Sequence, residues 1–118
     1  MTKRKILYSP EYGAGWTTWN WGSTEFKQYL LTYQPFIDAL EQGETLPDVP
    51  YGTEASSFPI YKELFDNVKN KFPENKSDYV CVLGCPDLKV AEVYGEVKIN
   101  EYDGFESVEE RSDNEGWL

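Results

Sequence analysis

The sequence predicts an α+β domain in which two helices pack on one face of a mainly antiparallel sheet of about four to five strands. Three observations carry that expectation. Two segments space their apolar residues by three and four positions. Several shorter runs are apolar throughout or alternate apolar with polar residues. Proline, glycine or Asp-Gly separates one run from the next. With 118 residues, 40% hydrophobic and 16% aromatic, the chain has material for one globular domain, residues 1–118, that buries roughly two thirds of its unfolded surface.

Lys3 to Tyr8 (KRKILY) reads as a strand ended by Ser9-Pro10, and a loop from Glu11 to Gly22 follows. Ser23 or Thr24 then offers an N-cap, with Glu25 in the first turn where the helix dipole favours a carboxylate. Phe26, Tyr29, Leu30, Tyr33, Ile37 and Leu40 form one apolar helical stripe. Pro35 removes an N–H donor from it, which predicts a kink or two abutting helices. Gly43 closes the pattern as a C′ residue.

Leu46 to Ser57 (LPDVPYGTEASS) reads as a surface connection. A second helix begins near Ser57-Phe58-Pro59, with proline in its tolerated first turn. Tyr61, Leu64, Phe65, Val68 and Phe72 give it an apolar stripe, and Pro73 stops it. Tyr79 to Leu83 (YVCVL) is apolar on both faces, as in a central strand. Leu88 to Tyr94 and Glu96 to Tyr102 are two further strands, joined by a tight turn at Tyr94-Gly95. Asp103-Gly104 makes another turn before a short acidic strand, Glu106 to Arg111.

Several chemistries are excluded by what the chain lacks. It contains no histidine, so the commonest general base and the Ser-His-Asp and Cys-His arrangements are absent, and a non-enzymatic role is expected. Cys81 and Cys85, in CVLGC, make a poor start to a zinc site. They read as reduced structural thiols of a cytosolic protein, with Cys81 pointing into the sheet. Gly13-Ala14-Gly15 lacks the third glycine of a dinucleotide fingerprint, and its helix starts too late. EYDGFESVEE does not match a calcium loop. No metal and no cofactor is therefore expected. No segment approaches the ~20 apolar residues of a membrane span, and the first apolar run is too short for a signal peptide.

The net charge is −10, and the stretch from Glu92 to Leu118 holds nine acids against Lys98 and Arg111. Such a field repels phosphate backbones and argues against direct nucleic-acid binding, but it attracts a basic protein surface. The second conspicuous feature is GAGWTTWNWGS, residues 13–23, with three tryptophans in six residues. At spacings of three and two they cannot all face one way. One or two close the end of the core, leaving an exposed indole, with Tyr12, as an interface anchor.

KILYSPEYGAGWTTWN, LTYQPFIDALEQGE, YVCVLG, LKVAEV and KINEYDGFESVE together resemble a family of small, uncharacterised bacteriophage proteins. Its members begin with a strand leading to a Y-S-P-x-x-G-A-G-W loop and end with an E-Y-D-G segment near an acidic terminus. The resemblance spans most of the chain except Thr45 to Ser57, and Trp21 is an extra tryptophan relative to the family pattern. It implies a protein that works in the cytoplasm of an infected bacterium.

Together these readings predict a protein-binding module that inhibits or redirects a host factor, such as a defence or nucleic-acid-handling protein. Tyr12, Trp16 and Trp19, with Trp21 beside them, are the candidate aromatic anchor. Asp103, Glu106, Glu109 and Glu110 are the candidate contacts to lysines and arginines. A small-molecule binder that stacks a nucleotide base between the indoles of this loop is the alternative, and a minor virion component is a third reading. An exposed aromatic loop would also suit a homodimer.

Overall fold

A computed structural model describes residues 3–11, 13–20, 22–73, 80–95 and 97–110. Its strands are β1 (Lys3–Tyr8), β2 (Lys89–Tyr94), β3 (Val97–Tyr102) and β4 (Phe105–Glu110). Its α-helices are α1 (Thr24–Leu31), α2 (Gln34–Glu41) and α3 (Pro59–Lys71). Short 3-10 turns lie at Thr17–Trp19, Ala55–Ser57 and Cys85–Asp87. The α+β class is as expected. The single sheet is not: among the described residues the strands form two separate antiparallel pairs, β1 with β2 and β3 with β4.

The first predicted helix is two abutting helices, for the reason Pro35 gives. The Ser23 hydroxyl caps α1 by accepting the Phe26 N–H at 3.1 Å. The chain leaves the helix at Thr32, and Tyr33 takes an extended conformation as the N-cap of α2. Pro35 then falls in the first turn of α2, where a missing N–H leaves no ladder bond unmade. The restart shifts the buried stripe. Phe36, Ile37 and Ala39 go inside, while Leu40 stays half-buried. Gly43, at φ +83°, ends α2 in a Schellman arrangement. Its N–H reaches the Leu40 carbonyl at 3.1 Å, and the Glu44 N–H reaches Ala39 at 3.0 Å.

α3 starts at Pro59, ends before Pro73 and carries Lys69 and Lys71 in its last turn, where the dipole favours cations. Tyr61, Leu64 and Val68 are its buried stripe. Phe36 is the hub of an aromatic cluster, with ring centroids 4.9 Å from Tyr33, 5.5 Å from Trp16 and 6.0 Å from Tyr61. A smaller apolar cluster of Ile6, Leu31, Val93 and Val97 joins β1, β2, α1 and the start of β3.

Two predicted sheet features are corrected. The segment read as a central strand, Tyr79 to Leu83, belongs to no ladder in its described part, Val80 to Leu83. Val80 and Val82 are buried, and the backbone between them is satisfied by a side chain instead of a strand. The Cys81 N–H donates to Asn20 Oδ1 at 2.8 Å, and Asn20 Nδ2 donates back to the Cys81 carbonyl at 3.2 Å. Cys81 therefore lies half-buried outside the sheet that it was expected to face. The turn at Tyr94-Gly95 does not pair β2 with β3; it passes the chain from one two-stranded sheet to the other.

The Asp103-Gly104 turn is as expected. Asp103 (φ +50°) and Gly104 (φ +83°) form a two-residue hairpin loop of the primed kind, which sets Tyr102 opposite Phe105. That register gives the β3–β4 hairpin two unlike faces. Val97 is buried and Ile99 and Val108 are half-buried on one; Lys98, Asn100, Tyr102, Ser107 and Glu109 are exposed on the other.

Candidate functional site

The two regions singled out by sequence, the tryptophan loop and the acidic strand, are in contact. The Gly13 N–H donates to the Asp103 carbonyl at 2.8 Å. A methyl group on Gly104 would stand 2.4 Å from the Ala14 nitrogen, so the hairpin turn and the loop pack backbone against backbone. Gly84 does the same from another segment: a Cβ there would lie 2.6 Å from the Ala14 carbonyl oxygen. Gly104 and Gly84 thus answer to close approach, and Gly13 to its φ of +110°.

Glu106 is the centre of this contact, and it is fully buried. Its Oε1 accepts the Ser9 N–H at 2.8 Å. Its Oε2 accepts the Trp16 N–H at 2.7 Å, the Thr18 hydroxyl at 2.6 Å and the Thr18 N–H at 3.2 Å. The Glu106 N–H donates in turn to the Ser9 carbonyl at 2.7 Å. One side chain therefore holds Ser9, Trp16 and Thr18 together, and Gly15 lacks a side chain because a Cβ would come within 2.8 Å of Oε2. Glu106 was expected on the surface, facing a partner's lysines. Its burial corrects that, since four donors on the loop take up both oxygens.

Trp16 is corrected for a related reason. Its indole is fully buried against Phe36, and Nε1 donates to the Leu30 carbonyl at 2.8 Å, satisfying an acceptor in the last turn of α1. It closes the core and is not a surface anchor. A nucleotide stacked between the indoles would need that ring, so the structure removes one wall of such a site. Asn20, also buried, completes the arrangement by donating to the Trp16 carbonyl at 2.9 Å while it holds Cys81.

Of the remaining predicted residues, Trp19 is half-buried, and Asp103 and Glu109 are exposed. Glu109 accepts a hydrogen bond from Asn100 at 3.1 Å across the hairpin. Tyr12, Trp21 and the Glu110 side chain lie outside the described residues. Sequence reasoning missed Tyr102, which is 75% exposed next to Asp103 and opposite half-buried Phe105. The signal was present: a two-residue Asp-Gly turn fixes the register, and the register puts Tyr102 on the face opposite Val97 and Ile99.

The surface that survives is thus the outer face and tip of the β3–β4 hairpin: Tyr102, Asp103 and Glu109, with Lys98 and Asn100. It presents an aromatic ring among carboxylates and an amide. Burial drives the Cys85 thiol well above its ordinary pKa, which keeps it protonated and unreactive inside the core. Among the described residues no cluster of Asp, Glu and Cys could hold a metal ion, and no helix is long and apolar enough to cross a membrane. No family model, curated protein or solved structure matches the chain.

Proposed function

We propose that this protein is a bacteriophage-encoded binding module that docks on a basic surface of a host bacterial protein and blocks or redirects it. The observation that carries this reading is the hairpin face just described. An exposed tyrosine stands there with Asp103 and Glu109, on a chain with ten excess negative charges. Tyrosine supplies contact area at low conformational cost, and the carboxylates steer approach and compete with phosphate for lysines and arginines. The module acts sterically in the cytoplasm of the infected cell, without covalent chemistry. The aromatic anchor of this reading is Tyr102, in place of Trp16.

The test is capture from bacterial lysate at about 50 mM salt, repeated at about 500 mM, where charge attraction is screened within a few ångströms. The bait is compared with a folded Tyr102→Ser, Asp103→Asn, Glu109→Gln variant. A protein retained stoichiometrically by the wild type, released by salt and not retained by the variant is the expected outcome. Capture indifferent to salt and to all three substitutions would falsify the hairpin as the contact.

A further inference from the structure

The connection between α2 and α3 is another place where an apolar side chain stands in solvent. Its turn at Pro50–Thr53 is closed by the Thr53 N–H on the Pro50 carbonyl at 3.0 Å, with Gly52 at φ +84°, a geometry that demands glycine at the third position. The turn holds Tyr51 out with its side chain fully exposed. Below it opens a groove of about 560 Å³, within the range of small-ligand and side-chain pockets. Val49, Ala55, Phe65 and Val82 form its apolar lining, and Leu83, 57% exposed, forms its far lip.

The groove is held, not floppy. Leu46 is buried at one end of the loop, and the Tyr61 hydroxyl donates to the Pro47 carbonyl from below. At the other end the Ser57 hydroxyl donates to the Glu54 carbonyl at 2.7 Å. Little ordering is left for a ligand to impose. Charge identifies the occupant. Exposed Glu54 lines the groove, exposed Asp48 is next to Val49, and no lysine or arginine is among the lining residues. A second copy of this chain would set a charge of −10 against −10.

We propose that this groove receives a bulky apolar side chain that a partner protein presents with a lysine or arginine beside it. It is a second contact surface, independent of the hairpin face. The probe is acetyl-Lys-Phe-Lys-amide, titrated into the full chain labelled with ¹⁵N and followed by amide chemical shifts. Saturable shifts at Val49, Ala55 and Leu83 are expected. The affinity should fall about tenfold with acetyl-Lys-Ala-Lys-amide, or in Leu83→Asp. It should fall severalfold with acetyl-Glu-Phe-Glu-amide or in Glu54→Lys, and stay unchanged in the Tyr102, Asp103, Glu109 variant. No shifts in the groove, equal binding of the alanine peptide, or indifference to Leu83→Asp in a folded variant each overturn the pocket. Equal binding of the glutamate peptide overturns the basic partner, and leaves the hairpin reading untouched.

Discussion

Two loops of this molecule invite opposite expectations, and each behaves as the other was expected to. Residues 13–20 hold the glycines and tryptophans that suggest a ligand, yet Gly15, Trp16, Thr17 and Asn20 are all buried, and the loop is fixed by Glu106. Residues 47–56 hold prolines, glycine and serine, the composition of a plain connection, yet they raise a tyrosine over an apolar groove. Composition states what surface a residue carries. Whether that surface meets water depends on which backbone passes nearby, and for the first loop that backbone arrives from more than eighty residues away.

The comparison breaks most readily at Trp16. Trp16→Ala removes the largest buried side chain among the described residues and the indole hydrogen bond to the Leu30 carbonyl, so we expect a loss of about 4 kcal/mol in urea unfolding. A loss under about 1 kcal/mol would mean that this loop is no part of the core. Next comes Glu106→Gln, which swaps an acceptor for a donor facing N–H groups that can only donate. It should destabilise by about 3 kcal/mol, with exchange protection lost at the Ser9 and Trp16 amides. Gly104→Ala meets the Ala14 backbone at 2.4 Å and a positive φ together, and should cost about 2 kcal/mol. For the second loop and the groove beneath it the expectation is the reverse: Tyr51→Ser and Leu83→Ser should lie within about 0.5 kcal/mol of wild type.

Alkaline pH sharpens the contrast by a smaller effect. Burial pushes the Tyr33 hydroxyl up to about 12 and Tyr61 higher still, while in the unfolded chain both ionise near 10. The folded state then holds protons that the unfolded state has released, so stability is intact below about pH 10 and falls as pH rises above it. The urea midpoint measured between about pH 8 and 11.5 should show this decline. It should be shallower in Tyr33→Phe.

Much of the fold was legible because periodicity is local. The strand at Lys3 to Tyr8, the break at Pro35, the C′ glycine at 43 and the Asp-Gly hairpin all follow from spacing within a few residues. What was not legible is long-range. YVCVL reads as a strand because valine alternates with other apolar residues, and nothing nearby tells that the carboxamide of Asn20 stands where a neighbouring strand would. The split into two sheets depends on how the chain turns after Tyr94, which a turn signal does not specify. Glu106 was the recoverable miss. Its register partner is Glu101, two residues beyond Ile99, so it shares the face of Val97 and Val108, and a carboxylate on an apolar face implies a buried set of donors.

The bond between Ser9 and Glu106 closes a span of 97 positions, and it has a meaning for how the molecule comes into being. At about 5 to 20 residues per second on a ribosome, roughly 5 to 20 seconds separate the synthesis of the two partners. Until β2 is made, β1 has no strand to pair with among the described residues, and until Glu106 follows, the backbone donors of Ser9, Trp16 and Thr18 lack its carboxylate. The N-terminal loop therefore takes its final form last, although it is made first, and a nascent chain stopped short of Glu106 would leave the Ser9, Trp16 and Thr18 amides without their acceptor.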